Sequence, residues 1–124
     1  MSTRHVAVID DDDSARSALG RLLRAAGWYP VLFDSAERFL DGMRDHDWLC
    51  LIADVQLGGM SGIELQSKLR TEAVALPVIV ITGNQSTSLK ESAINAGCAA
   101  FLSKPFSGDA VLSLLTSLAA PPRT

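Results

Sequence analysis

The 124-residue sequence lacks the segments that mark membrane and exported proteins. No apolar run approaches the about 20 residues that a membrane-spanning helix needs. Residues 1–5 are not followed by the long apolar segment of a signal peptide. Cysteine is scarce as well: Cys50 and Cys98 lie far apart in apolar stretches, which predicts buried thiols. We therefore expect a cytoplasmic protein with reduced cysteines and no membrane partner.

The sequence also lacks an excess of positive charge. Its 11 basic and 14 acidic residues give a net charge of -3, and its pI is about 5.2. This balance argues against nucleic-acid binding by this domain through a broad basic face, and a metal cation is the more natural electrostatic partner. The 48% hydrophobic content suits one domain with one core.

Several ligand-binding motifs are missing. There is no P-loop, and a calcium loop that began at Asp10 would have Arg21 at its bidentate glutamate position. His5 and His46 have no histidine or cysteine partner at metal-ligand spacing, so we expect them to be structural or exposed.

What the chain does have is a regular alternation of short apolar runs and helical patterns. The predicted strands are Val6–Ile9, Tyr29–Phe33, Leu49–Ala53, Val78–Ile81 and Ala99–Leu102. The predicted helices begin near Ala15, Ser35, Ile63, Thr87 and either Ser107 or Asp109. Pro30 predicts that the second strand lies at a sheet edge. Five successive βα units indicate a three-layer α/β/α domain with a five-stranded parallel sheet.

A polar residue follows every predicted strand. The second strand ends in Asp34, which we expect to lie at the sheet edge, out of reach of the others. The residues after the other four strands are Asp10–Asp13 after the first, Asp54 after the third, Thr82 and Gly83 after the fourth, and Ser103, Lys104 and Pro105 after the fifth. Functional groups of open parallel sheets gather at these strand ends. Converging carboxylates need a cation, and oxygen ligands favour Mg²⁺. Asp54 could attack phosphorus, while Lys104 supplies charge and Thr82 a hydrogen-bond donor. For Asp12 and Asp13 we instead expect a solvated loop or the start of the following helix.

The pattern Asp10-Asp11, Asp54, Thr82 and Lys104-Pro105 resembles the response-regulator receiver family over the whole chain. The segments 35–40 and 79–83 are similar to the nitrogen-fixation regulator branch, whose members usually carry a helix-turn-helix output domain. The resemblance implies a flavodoxin-like receiver fold with strand order 2-1-3-4-5. It assigns residues 1–120 to the receiver and 121–124 to a tail or linker stub.

The resemblance also implies a role for each matching residue. Asp54 would be the phosphoacceptor, and Thr82 and Lys104 would bind the phosphoryl group. The Mg²⁺ ligands would be Asp11, Asp54, the backbone carbonyl of Gln56 and, through water, Asp10. Thr82 and Phe101 would act as the switch. The Lys104–Pro105 peptide bond would be cis.

By the same resemblance, the donor would be a histidine kinase, a phosphotransfer protein or a small acyl phosphate. Phosphorylation would alter a surface formed by the fourth helix, fifth strand and fifth helix, and so could produce a homodimer. The chain would not be an enzyme beyond Mg²⁺-dependent self-phosphorylation and autodephosphorylation.

The chain departs from the family pattern in one loop. Gly58 stands where the family often has proline, and two adjacent glycines should make this loop more mobile before phosphorylation. Gln56 and Asn84, both neutral amides, occupy the positions thought to tune acyl-phosphate hydrolysis.

Two alternatives remain open at this point. The chain could be a pseudo-receiver that binds partners without phosphorylation. It could also be an aspartate-nucleophile phosphatase of the haloacid dehalogenase type, with Asp10 as nucleophile and Asp12 as acid. The second alternative lacks a further acidic motif near the later strands and gives Asp54 no role.

Overall fold

Five parallel strands alternate with five helices in the computed structural model, which describes residues 4–57, 59–83 and 87–119. The strands are β1 His5–Ile9, β2 Tyr29–Phe33, β3 Trp48–Asp54, β4 Val78–Thr82 and β5 Ala100–Ser103. The helices are α1 Asp13–Ala25, α2 Ala36–Gly42, α3 Gly62–Thr71, α4 Thr87–Asn95 and α5 Gly108–Ala119. A short 3₁₀ turn, Met43–Asp45, follows α2.

The sheet has the order β2-β1-β3-β4-β5, with every neighbouring pair parallel. This confirms the predicted fold. β3 and β4 occupy interior positions, and all of β4 is buried, which explains their unbroken apolar sequences. Because all strands point the same way, the residues that follow them meet at one edge of the sheet.

A hydrophobic cluster covers each face of the sheet. Successive strand residues point to opposite faces, so Ala7 and Ile9 join one cluster while Val6 and Val8 join the other. The first cluster includes Phe39 of α2 and residues of α3 and α4. The second includes residues of α1 and α5.

Side-chain caps set the helix starts. Asp12 caps α1 by accepting the N–H groups of Ser14 and Ala15, so this helix begins before the predicted Ala15. Ser35 caps α2, as predicted. Ser61 and Glu64 form a capping box at α3. Ser107 accepts the N–H of Ala110, which decides between the two predicted starts of α5.

β2 is an edge strand, as Pro30 predicted. The Tyr29 N–H donates to the Arg4 carbonyl at 2.9 Å, towards β1. Backbone groups alternate in direction along a strand, so the next amide position, at Pro30, faces the open edge. Pro30 has no N–H there to leave unpaired.

No helix in the described part of the chain is long and apolar enough to cross a membrane.

Candidate functional site

Two buried carboxylates and one ammonium group meet where β1, β3 and β5 end. Asp54, the last residue of β3, is 6% exposed, and Asp10, directly after β1, is 7% exposed. The Lys104 Nζ donates to Asp54 Oδ2 at 2.7 Å and to Asp10 Oδ2 at 3.3 Å. Residues separated by up to 94 positions in the sequence thus form one charged cluster.

The cluster changes the acidity of its lysine. Burial alone would lower the pKa of Lys104, because it removes water from the ammonium group. The hydrogen bond and charge of Asp54, together with those of Asp10, outweigh this effect and raise the pKa above its usual value of 10.5. Lys104 therefore stays charged across the physiological pH range.

Backbone amides hold the other oxygen of each carboxylate. Asp54 Oδ1 accepts the Gln56 N–H at 2.8 Å, and Asp10 Oδ1 accepts the Asp12 N–H at 2.9 Å. Each carboxylate is thereby fixed at both oxygens, which orients the site before any ligand binds.

Thr82 ends β4 next to Lys104 and is fully buried. Its backbone carbonyl accepts the Lys104 N–H at 2.7 Å. The Lys104–Pro105 peptide bond is cis, in agreement with the expectation. Phe101 lies in β5 opposite Val80 and is partly buried against the first cluster.

The structure places Asp11 and the side chain of Gln56 at the exposed rim of this site, beside Asp10 and Asp54 respectively. Asp12 and Asp13 lie at the start of α1, which is one of the two positions expected for them. Asp34, after β2, pairs with Arg38 at 3.3 Å and does not join the cluster. Gly58 and Asn84 lie outside the described residues.

The charge of the site fits a divalent cation. Asp10, Asp11 and Asp54 carry three negative charges, and Lys104 neutralises one, so two remain. Among the described side chains, no three His, Cys, Asp or Glu residues are arranged to hold a metal unaided. The expected ligand set does not require this, because it includes the Gln56 carbonyl, and oxygen donors of this kind suit Mg²⁺.

Two residues that the sequence analysis did not select contact the loops of the site. The Arg16 Nη1 donates to the Asp10 carbonyl at 2.7 Å, and its Nη2 pairs with Asp13. Glu37 Oε2 accepts the Met60 N–H at 3.2 Å. Both side chains lie on helices, where a charged residue usually indicates only a solvated face.

A cavity of about 610 Å³ adjoins the charged cluster. Asp10 and Lys104 border it, and the remaining wall is largely apolar and belongs to α1, the end of β4 and the residues around Phe106. Asp10 and Lys104 are therefore the members of the charged cluster that border this largely apolar cavity.

Comparison with known proteins places the chain in a family. The response regulator receiver domain model matches residues 6–116. The transcriptional regulatory protein FixJ of Bradyrhizobium diazoefficiens is 36% identical over 118 residues, which are 94% of this chain and 58% of that protein. Nodulation protein W of the same species is 35% identical over 90% of this chain and 49% of its own length. The chain thus spans about half the length of these relatives.

Solved structures agree with this placement. The FixJ-N crystal structure superposes with a TM-score of 0.88 at 29% identity, covering 96% of this chain and 95% of that one. A beryllofluoride-activated NtrC4 receiver domain dimer superposes with a TM-score of 0.87 at 26% identity, covering 94% and 97%. Together with the family match and the strand order, these relatives show that the chain belongs to the response-regulator receiver domain family.

Proposed function

We propose that this receiver accepts a phosphoryl group on Asp54 in a Mg²⁺-dependent reaction. The observation that carries the proposal is the 2.7 Å contact between the Lys104 ammonium and Asp54 Oδ2 at the meeting point of the strand ends. Phosphoryl transfer depends mainly on positioning and on positive charge around the phosphoryl oxygens. Lys104 is the cation that the fold places beside the acceptor.

Asp11, Asp54, the Gln56 carbonyl and, through water, Asp10 would hold Mg²⁺. When bound, this ion neutralises the charge of the carboxylates and of the incoming phosphoryl oxygens. The ammonium of Lys104 now contacts both Asp10 and Asp54, so it shares these carboxylates with any cation that binds them.

In the transfer step, one Asp54 carboxylate oxygen forms a bond to phosphorus. The bond from phosphorus to the donor breaks, and its electron pair leaves with the donor atom, an imidazole nitrogen or an acyl oxygen. Lys104 then pairs with a phosphoryl oxygen, and the Thr82 hydroxyl donates a hydrogen bond to another. The donor would be a histidine kinase, a phosphotransfer protein or a small acyl phosphate.

The new charge on Asp54 would act on the residues behind it. Drawing Thr82 towards the phosphoryl group frees space for Phe101, which occupies the neighbouring strand. The equilibrium at the α4–β5–α5 surface shifts as a result. We propose that this surface then pairs with a second receiver or another partner in the cytoplasm, while the receiver itself turns over no further substrate.

The test is intact mass after incubation with acetyl phosphate and Mg²⁺. We expect the native chain to gain one phosphoryl group and Asp54→Asn to gain none. Asp34→Asn is the matched control, because Asp34 also ends a strand but lies apart from Lys104, and it should react like the native chain. EDTA should prevent the gain.

The opposite result separates the alternatives. A native chain that gains no mass, even when sampled within seconds, would be a pseudo-receiver. Multiple turnover of a phosphate monoester that survives Asp54→Asn but not Asp10→Asn would support the phosphatase.

A further inference from the structure

We propose that Arg16 is a positioning residue for Asp11, the residue expected to bind Mg²⁺ directly. The proposal rests on the proposed function, because it concerns how the chain prepares its cation site. Arg16 is the fourth residue of α1, and its side chain is only 17% exposed. A surface arginine would leave its guanidinium in water.

The guanidinium connects two points of the β1–α1 turn. Nη1 donates to the backbone carbonyl of Asp10 at 2.7 Å, and Nη2 pairs with the Asp13 carboxylate. The turn between these points carries four successive carboxylates, whose mutual repulsion would otherwise favour an open loop. Arg16 is thus the cation that holds this turn closed from the helix side.

The carbonyl that Arg16 binds belongs to the peptide group that joins Asp10 to Asp11. A peptide group is planar, so fixing its oxygen also fixes the direction of the Asp11 backbone. The Asp10 N–H donates to the Phe33 carbonyl at 3.2 Å, and Asp10 Oδ1 accepts the Asp12 N–H at 2.9 Å. Both neighbours of Asp11 are therefore held in place, while the Asp11 side chain remains exposed.

The two contacts require a fork. Arginine presents several N–H donors in a rigid plane, whereas a lysine ammonium is a single point charge on a flexible stem. Lysine at this position would retain the charge but could not hold the Asp10 carbonyl and the Asp13 carboxylate in the same geometry.

The experiment measures the Mg²⁺ dissociation constant by isothermal titration calorimetry, without a phosphodonor. Arg16→Lys keeps the charge and loses the fork, and Arg16→Met loses both. Arg38→Met is the matched control, because Arg38 forms an exposed pair with Asp34 at 3.3 Å. Positioning predicts roughly tenfold weaker binding in both Arg16 variants, as for other residues that orient metal ligands. The control should bind like the native chain.

A purely electrostatic role predicts a different pattern. Removing a positive charge near the site would strengthen Mg²⁺ binding in Arg16→Met, and Arg16→Lys would change nothing. That pattern, or native affinity in both variants, overturns the proposal while the proposed function stands. Loss of the fold in both variants, seen by circular dichroism, would overturn it too, since Arg16 would then be structural. A native chain that binds no Mg²⁺ would overturn the proposed function with it.

Discussion

Lys104 holds the site together by its charge. Its ammonium binds carboxylates from the ends of β1 and β3, and its own backbone N–H binds β4. The pKa of Lys104 is raised above 10.5, so the stability that these contacts supply is complete below that pH. It is lost only as the pH rises through the raised pKa in the folded state. Lys104 therefore keeps its charge over the working range of a cell.

Cys50 gives a pH dependence of the same sign, at a pH that an unfolding experiment can reach. Burial between β1 and β4 raises the pKa of its thiol from 9.0 to about 12, whereas the unfolded thiol loses its proton near 9.0. Between these values the unfolded state binds fewer protons, so stability falls as the pH rises. We expect this thiol to lower the free energy of unfolding by about 1.4 kcal/mol for each pH unit in that interval.

Urea unfolding from pH 8 to pH 11 checks this slope. Cys50→Ala should be less stable than the native chain at pH 8, because it leaves a cavity, but should lose less stability above pH 9. If the free energy of unfolding fell with pH at the same rate in the two proteins, the Cys50 thiol would not be the cause.

Cys98 is partly exposed, so alkylating reagents should modify it well before Cys50 in the folded protein.

At the scale of helices and strands, local patterns carried most of the prediction. Short apolar runs predicted the five strands to within one residue at each end. Ser35 predicted a helix cap and Pro30 a sheet edge, while the start of α5 was narrowed to Ser107 or Asp109. Family resemblance then gave the strand order, which local patterns do not encode. The predicted start of α1 near Ala15 was two residues late, because the acidic run before it is compatible with either a loop or a helix start.

Contacts that depend on tertiary placement were not predictable in this way. His5 and His46 were treated as isolated, yet their rings stack with centroids 4.5 Å apart. The cause is the pairing of His5 with Trp48, which brings the segment before β3 beside β1. Arg16 and Glu37 were missed for the same reason: each reaches a loop whose position depends on the assembled sheet. The mobility expected of the Gly58–Gly59 loop remains a prediction.

Ala73, which follows the cap of α3, has a backbone conformation that is unfavourable for alanine. Ala73 has a φ of 57°, in the left-handed region that favours glycine. This conformation is fixed by two hydrogen bonds: the Ala73 N–H donates to the Arg70 carbonyl, and the Val74 N–H donates to the Leu69 carbonyl. Ala73→Gly should remove the steric cost and stabilise the fold by about 0.5–1 kcal/mol, after the entropic cost of glycine. Urea unfolding measures this difference.

Ala75→Gly is the matched control. Ala75 lies two residues further along the same exposed loop and does not have a positive φ. Glycine there should be neutral or destabilising. Equal effects of the two substitutions would show that backbone strain at Ala73 is not the cause.

For the whole molecule, we predict a change of oligomeric state on activation. α4 exposes the apolar side chain of Ile94, which is 55% accessible, next to the fully buried Ala93. With Mg²⁺ and beryllofluoride, light scattering should show a monomer becoming a dimer through the α4–β5–α5 surface. Ile94→Lys should prevent dimer formation and leave Asp54 phosphorylation unchanged, because a buried lysine in the interface would be costly.

Tyr29→Ser provides the comparison for this experiment. Tyr29 is 60% exposed on β2, at the opposite edge of the sheet, so its loss should leave the dimer intact. A dimer that resists Ile94→Lys but is lost with Tyr29→Ser would move the contact surface to β2. An unchanged monomer in the native chain would contradict dimerisation altogether.

The proline at the open edge of β2 also limits how copies of this molecule can meet. A foreign strand laid along that edge would find no N–H donor at Pro30, the second residue of β2. Pairing between edge strands uses only backbone N–H and C=O groups, so it does not distinguish one such sheet from another. With pairing along this edge weakened, contacts between copies of this molecule are favoured through its helical surfaces, where side chains and not backbone groups decide which partner fits.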